Sequence, residues 1–181
     1  MGKYKKIIII GSPGSGKTYC SKKISEITNI PVYHLDDFYW DKNWIEKEHS
    51  EWMKIQRELL SCNKYIIDGN YLNSLEMRIN KSDLIIYMDK KMIVCLKGFI
   101  KRTIKNFLGI DIDLPQNIKN QDKYRVTDSG VLKFCIYIIK FHLQQKNKVE
   151  DILLKYKGHK KIIILKNKKD ISKLYEELMK C

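Results

Sequence analysis

Eight residues near the start of the chain, Gly11-Ser12-Pro13-Gly14-Ser15-Gly16-Lys17-Thr18, have types and spacing suited to holding a phosphate. They match G-x-x-x-x-G-K-[ST]. In that pattern glycines let the backbone turn its N–H groups inward, the lysine reaches the β- and γ-phosphates, and the last hydroxyl binds Mg²⁺. The motif has this meaning only between a strand and a helix. Lys5–Ile10 precedes it as an apolar, β-branched run, and residues 17–28 follow with Tyr19, Cys20, Ile24 and Ile27 at helical spacing. The positive end of a helix dipole then faces the same anion. A nucleoside triphosphate, taken as ATP, with Mg²⁺ is the ligand expected on Gly11–Thr18.

Other elements must position whatever receives or stabilises the phosphate. "IPVYHL" (Ile30–Leu35), "KYIID" (Lys64–Asp68), "DLIIYMD" (Asp83–Asp89) and "KIIIL" (Lys161–Leu165) read as further strands, each a short apolar run bounded by polar turn residues. Helices are predicted over about 49–61, where Trp52, Ile55, Leu59 and Leu60 share a face, and over about 91–108, where Met92, Leu96, Ile100, Ile104 and Phe107 or Leu108 do. Two more are predicted over about 130–156 and 170–180. Residues 109–129 lose periodicity and read as a lid.

The alternation of strand and helix implies one α/β domain over residues 1–181, with a five-stranded parallel sheet covered on both faces and every strand buried. Ligands of such sheets bind beyond the carboxyl ends of the strands. That rule selects Gly11–Thr18, Asp36, Asp37, Asp68, Gly69, Asn70 and Asp89 as the polar residues that matter.

The strings "IIIIGSPGSGKT", "IPVYHLDDFYW", "YIIDGNY" and "DLIIYMD", in this order and spacing, resemble the small P-loop kinases of the adenylate kinase and shikimate kinase type. Within these, they resemble the bacterial family named for DNA topology modulation. The resemblance covers residues 1 to about 108 and implies a three-layer α/β/α P-loop fold with strand order 2-3-1-4-5. It also implies phosphoryl transfer from MgATP to a small acceptor. The third strand then lies beside the loop strand, and Asp68 is placed like a Walker-B carboxylate that orients Mg²⁺ with Thr18. Gly69 and Asn70 would let the acceptor approach the backbone. Asp36, at the end of the second strand, would take the proton of an attacking hydroxyl or hold it in line, with Asp37 as a partner or helix cap. Trp40, in the aromatic patch Phe38–Trp40 with Trp44, offers a face to a planar ring or serves as packing. His34 reads as a semi-buried strand histidine.

Cations must surround the moving phosphoryl group, and arginine grips oxyanions by two bonds where lysine cannot. The chain has only four arginines. Arg78 is placed to hold an anionic acceptor and Arg102, at the lid end of its helix, to contact ATP. Arg125 falls inside the lid, and Arg57 reads as a surface residue.

The net charge of +14 raises a second class of function, nucleic-acid binding, although the lysines behind it are spread along the chain. A nucleotide-dependent regulatory protein is a third. Asn167-Lys168-Lys169-Asp170 spells the guanine-reading N-K-x-D, but no D-x-x-G switch accompanies it and it is read as a coincidence of composition. The five cysteines form no C-x-x-C pair and no metal-ligand spacing. The apolar runs are too short for a secretory signal or a membrane span, and the expected location is the cytoplasm.

Overall fold

In the central strand the four isoleucines Ile7–Ile10 are all wholly buried, and their alternation divides the core in two. Ile8 and Ile10 belong to one apolar cluster, Ile7 and Ile9 to the other, as a side-chain period of two requires of a strand covered on both faces. Burying each side chain contributes roughly 1.5–3 kcal/mol. The computed structural model describes residues 3–110 and 128–180.

The strands are β1 (Lys6–Gly11), β2 (Val32–His34), β3 (Tyr65–Asp68), β4 (Leu84–Met88) and β5 (Lys161–Ile164), all parallel, in the order β2-β3-β1-β4-β5. One face is covered by α1 (Lys17–Thr28) and α8 (Lys168–Met179), which bring Cys20, Ile24, Leu174 and Leu178 onto Ile7, Ile9 and Ile66. The other is covered by α3 (His49–Ser61), α4 (Leu75–Asn80) and α7 (Lys146–Lys155), with the short α2 (Leu35–Tyr39) at its upper edge. The helices α5 (Met92–Phe107) and α6 (Asp128–Lys140) pack on each other through Cys95, Phe99 and Ile138.

Four details depart from expectation. The edge strands β2 and β5 are partly exposed, because an outer strand has a sheet neighbour on one side only. Asp36 and Asp37 stand not at a strand end but in the first turn of α2, where carboxylates favour the positive end of a helix. The single helix expected over 130–156 is α6 and α7 joined by a π-helical turn, Phe141–Gln145. On α5 the buried positions are Cys95 and Phe99, while Met92, Ile100, Ile104 and Phe107 are exposed, Phe107 at 84%. Of the apolar face expected there only Leu96 packs against the cluster of α5 with α6, and the helix also makes a backbone contact.

That contact is between Gly98 and Gly14. A β-carbon on Gly98 would stand 2.4 Å from the Gly14 carbonyl oxygen, and one on Gly14 2.2 Å from that of Cys95. Gly14 also has a φ of 75°, the left-handed region that glycine enters without steric cost. The loop Gly11–Thr18 is thus pressed against α5 backbone to backbone. The lid predicted over 109–129, with Arg125, lies outside the described residues except at its two ends. Among the described residues no helix is long and apolar enough to cross a membrane.

Candidate active site

The loop after β1 leads into α1 with Gly16 as its N-cap, no side chain capping it and no acidic residue in its first turn. The first N–H groups and the dipole of a twelve-residue helix therefore remain directed at the loop. Lys17 Nζ donates to the carbonyls of Gly11 and Ser12, both at 3.0 Å, so the ammonium is held across the loop. Burial lowers its pKa, while Asp68, Asp36 and Arg102 all act on its charge, the two carboxylates opposing the shift. Ser15 Oγ is buried without a hydrogen-bond partner. A buried hydroxyl beside free helix N–H groups and a lysine suits a phosphate, which supplies acceptors to all three.

Asp68 ends β3, registered against Ile9 of β1 on one side and His34 of β2 on the other. It is 6% exposed. Its Oδ2 accepts from Ser21 Oγ at 2.8 Å and lies 2.9 Å from His34 Nδ1. Burial pulls the His34 pKa down, but the bond to Asp68 and its charge outweigh that and leave it raised. Ser21 Oγ is also 2.9 Å from the Thr18 backbone carbonyl, so its single proton is shared between that carbonyl and Asp68 Oδ2. The oxygen-bearing side chains of Thr18 and Asp68 fit a Mg²⁺ that keeps its other ligands from phosphates and water.

Asp36 is solvent-accessible at the top of α2, yet closely surrounded by protein, and that desolvation raises its pKa. Tyr71, Lys17 and Arg102 act in the opposite direction by favouring its ionised form. The bond from Tyr71 is direct, Oη to Oδ1 at 2.7 Å. Tyr71 is itself set by a triangle of rings with Tyr39 and Trp52, centroids 4.7–5.1 Å apart. Trp40 extends this cluster, edge-on to Tyr39 at 4.9 Å and to Trp44 at 5.4 Å. Gly69 has a φ of 148°, and a β-carbon there would meet the Leu35 side chain at 2.7 Å, so the turn after β3 runs close against the start of α2.

The outcome for the arginines is mixed. Arg102 lies 5.8 Å from the ring centroids of Phe99 and Phe134, near enough to Lys17 and Asp36 for its charge to act on both. Arg78 was expected to grip an anionic acceptor, and the structure places it elsewhere: it is 0% exposed. Its Nη1 donates to the Gly69 carbonyl at 2.8 Å and Nη2 to that of Tyr71 at 2.6 Å. Burial pushes its pKa down to about 10, so it stays charged at neutral pH and serves as a clamp on the turn that carries Asn70 and Tyr71. Arg57 is on the exposed face of α3 with Lys54 and Glu58. Asp89 is tied to α7 by Lys146 at 2.7 Å.

The N-K-x-D string has a local explanation. Asn167 caps α8, accepting from the Asp170 backbone at 3.1 Å, and Asp170 accepts from the Asn167 backbone at 3.0 Å. This is a reciprocal capping box. Sequence reasoning missed Ser21, Tyr71 and Gly98. Only Gly98 carried a signal, an isolated glycine inside a helical pattern.

Among solved structures the chain is similar to a gluconokinase from Sinorhizobium meliloti 1021, with a TM-score of 0.53 over 97% of this chain and 90% of that one at 13% identity. It is likewise similar to a shikimate kinase from Bacteroides thetaiotaomicron, with a TM-score of 0.52 over 98% and 97% at 14% identity. The chain has the three-layer α/β/α P-loop fold, with the strand order 2-3-1-4-5 expected from its sequence. In sequence it is 26% identical over 117 residues to an adenylate kinase from Thermotoga petrophila. The match takes in 65% of this chain, which spans about half, 47%, of that relative's length. No family model matches. Within this fold Lys17 starts α1, Asp36 is in the first turn of α2, Asp68 ends β3 and Arg102 is on α5.

Proposed function

We infer that the protein is a phosphotransferase that moves the γ-phosphoryl group of ATP to a small acceptor held between Asp36, the Gly69–Tyr71 turn and α3. The observation that carries this reading is the placement of two carboxylates about the loop lysine. Lys17 Nζ is held at the Gly11 and Ser12 carbonyls, Asp68 is fixed at the end of β3 by Ser21 and His34, Asp36 is fixed by Tyr71, and both carboxylates are near enough to favour the charged lysine. A nucleotide-binding site alone needs the lysine and Asp68. A second carboxylate with a raised pKa, facing the same lysine, is what a transfer to a hydroxyl adds.

In this reading the loop N–H groups and Lys17 hold the β- and γ-phosphates, and Thr18 and Asp68 would hold Mg²⁺. The ion, when bound, offsets charge on the phosphate oxygens. Asp36 accepts the acceptor's hydroxyl proton and keeps the oxygen aligned, with Tyr71 fixing the carboxylate's direction. Arg102 adds positive charge beside the transferring group. The N-K-x-D string gives no reason to assign GTP, because Asn167 and Asp170 are engaged with each other at the start of α8.

The test is ADP release in the presence of MgATP and an acceptor panel, with water as the control acceptor. Lys17→Ala should abolish release while leaving the thermal transition of the protein in place; an unchanged rate contradicts the mechanism.

A further inference from the structure

We propose that the outer face of α5 docks the protein on a bilayer surface rich in anionic phospholipid, without crossing it. The proposal does not depend on the phosphotransferase reading. Its first observation is an exposed apolar row. Cys95 and Phe99 are buried against Ile138 of α6, whereas Ile93, Ile100, Ile104 and Phe107, at helical spacing on another side of α5, are 46–84% exposed. Leu108 continues the row and is exposed too. A contiguous exposed apolar surface of this kind marks an interaction site.

The second observation is charge. Lys97 and Lys101 run beside the row and line one shallow groove with Ile100, Ile104 and Lys105. Residues 90–110 and 129–149 hold ten of the chain's 35 basic residues and none of its 21 acidic ones, so most of the net charge of +14 is concentrated on α5, α6 and their flanks. Lys146 is engaged by Asp89 and Lys90 is buried, but Lys97, Lys101, Lys133 and Lys140 are exposed. The one acid of the two helices is Asp128, the first residue of α6. The intervening residues 111–127 hold three acidic and three basic residues and add no net charge.

Apolar row and cations together select the occupant. A second copy laid on this face would oppose lysine to lysine with no carboxylate on α5 to answer them. A nucleic acid would take the lysines on its phosphates but has no use for a row of isoleucines, which offer its bases neither a flat ring nor a hydrogen bond. An anionic bilayer takes both, its headgroups meeting the lysines and its acyl boundary the isoleucines and Phe107, as for other basic amphipathic helices. Among the described residues no helix is long and apolar enough to cross a membrane, so the contact is with the surface.

The experiment is co-sedimentation of the full chain with vesicles of phosphatidylcholine alone and of equal parts phosphatidylcholine and phosphatidylglycerol, at low and at physiological salt. Binding to the anionic vesicles should exceed binding to the neutral ones at least roughly tenfold and fall as salt rises. Charge alone would give that result for many basic proteins, so the deciding comparison is among variants whose thermal transition is unchanged. Ile104→Ser with Phe107→Ser, which keeps every lysine, should weaken binding to the anionic vesicles roughly tenfold. Lys97→Gln with Lys101→Gln should do the same, while Lys168→Gln with Lys169→Gln, an equal change of charge at the start of α8, should leave binding within about twofold. Equal losses from the two lysine pairs, or full binding by the serine variant, overturn the proposal. Failure to bind anionic vesicles overturns it as well: a mixed-sequence DNA duplex bound instead makes the face a nucleic-acid surface, and a dimer in light scattering that the serine changes dissociate makes it a contact between copies. ADP release is not the readout, so the phosphotransferase reading stands or falls separately.

Discussion

Tyr71 donates its hydroxyl to Oδ1 of Asp36 at 2.7 Å, joining residues 35 apart in sequence. The bond favours the ionised carboxylate and works against the desolvation that raises the Asp36 pKa. Removing it in Tyr71→Phe leaves desolvation less opposed, so the pKa rises further. A base must be ionised to accept a proton, and the acid limb of kcat/KM therefore moves to higher pH in Tyr71→Phe. A pH–rate profile checks this, and coincident acid limbs would show that Asp36 is not the titrating base.

Gly98 and Gly14 touch backbone to backbone, which makes α5 the support of the phosphate loop. Gly98→Ala would gain helix propensity but place its methyl 2.4 Å from the Gly14 carbonyl oxygen. Neither main chain can yield as a flexible side chain would. The variant should lose about 1–3 kcal/mol of stability and bind ATP more weakly, as chemical denaturation and calorimetry would report. Stabilisation would mean that the loop is free of α5.

Arg78 has two hydrogen bonds from a charged group to carbonyls in the turn Gly69–Tyr71. Each is worth about 1.5–3 kcal/mol, and Arg78→Met also leaves two carbonyls short of a donor. A loss of roughly 3 kcal/mol is expected in urea denaturation, whatever acceptor is present. A stable variant whose only defect is a raised KM would return Arg78 to the acceptor-binding role suggested by its sequence position.

Ser21 shares its hydroxyl proton between the Asp68 carboxylate at 2.8 Å and the Thr18 carbonyl at 2.9 Å. Ser21→Ala frees one side of Asp68, so the half-saturating Mg²⁺ concentration should rise roughly tenfold, as outer partners of a metal ligand typically require. The lost bond itself should cost about 1 kcal/mol or somewhat more. A Mg²⁺ titration of activity tests it, with no change expected only if Asp68 does not hold the ion.

The sheet and the donor loop were legible because their signals are local: isoleucine runs bounded by turn residues, and a motif whose flanking strand and helix can be read beside it. Asp36, Asp68 and Arg102 could be selected by position at strand and helix ends. The groups that orient them could not. Tyr71, Ser21 and His34 act through contacts spanning 34–47 residues, for which the sequence has no pattern. Arg78 shows the limit from the other direction, since its chemistry suits an anion but its burial assigns it to two carbonyls. The apolar spacing on α5 misled because its buried contacts are made by Cys95 and Phe99, with Gly98 close against the loop, rather than by the longer apolar row.

The central claim is that Asp36 and the phosphate loop together move phosphate to a hydroxyl. Its most direct test is ³¹P NMR of the protein with MgATP and the acceptor panel, beside Asp36→Asn. The account predicts a new phosphomonoester signal growing one-for-one with ADP, slowed roughly 100- to 10,000-fold in Asp36→Asn at undiminished ATP binding. ADP appearing with inorganic phosphate alone, or equal phosphomonoester formation by the two proteins, would contradict it.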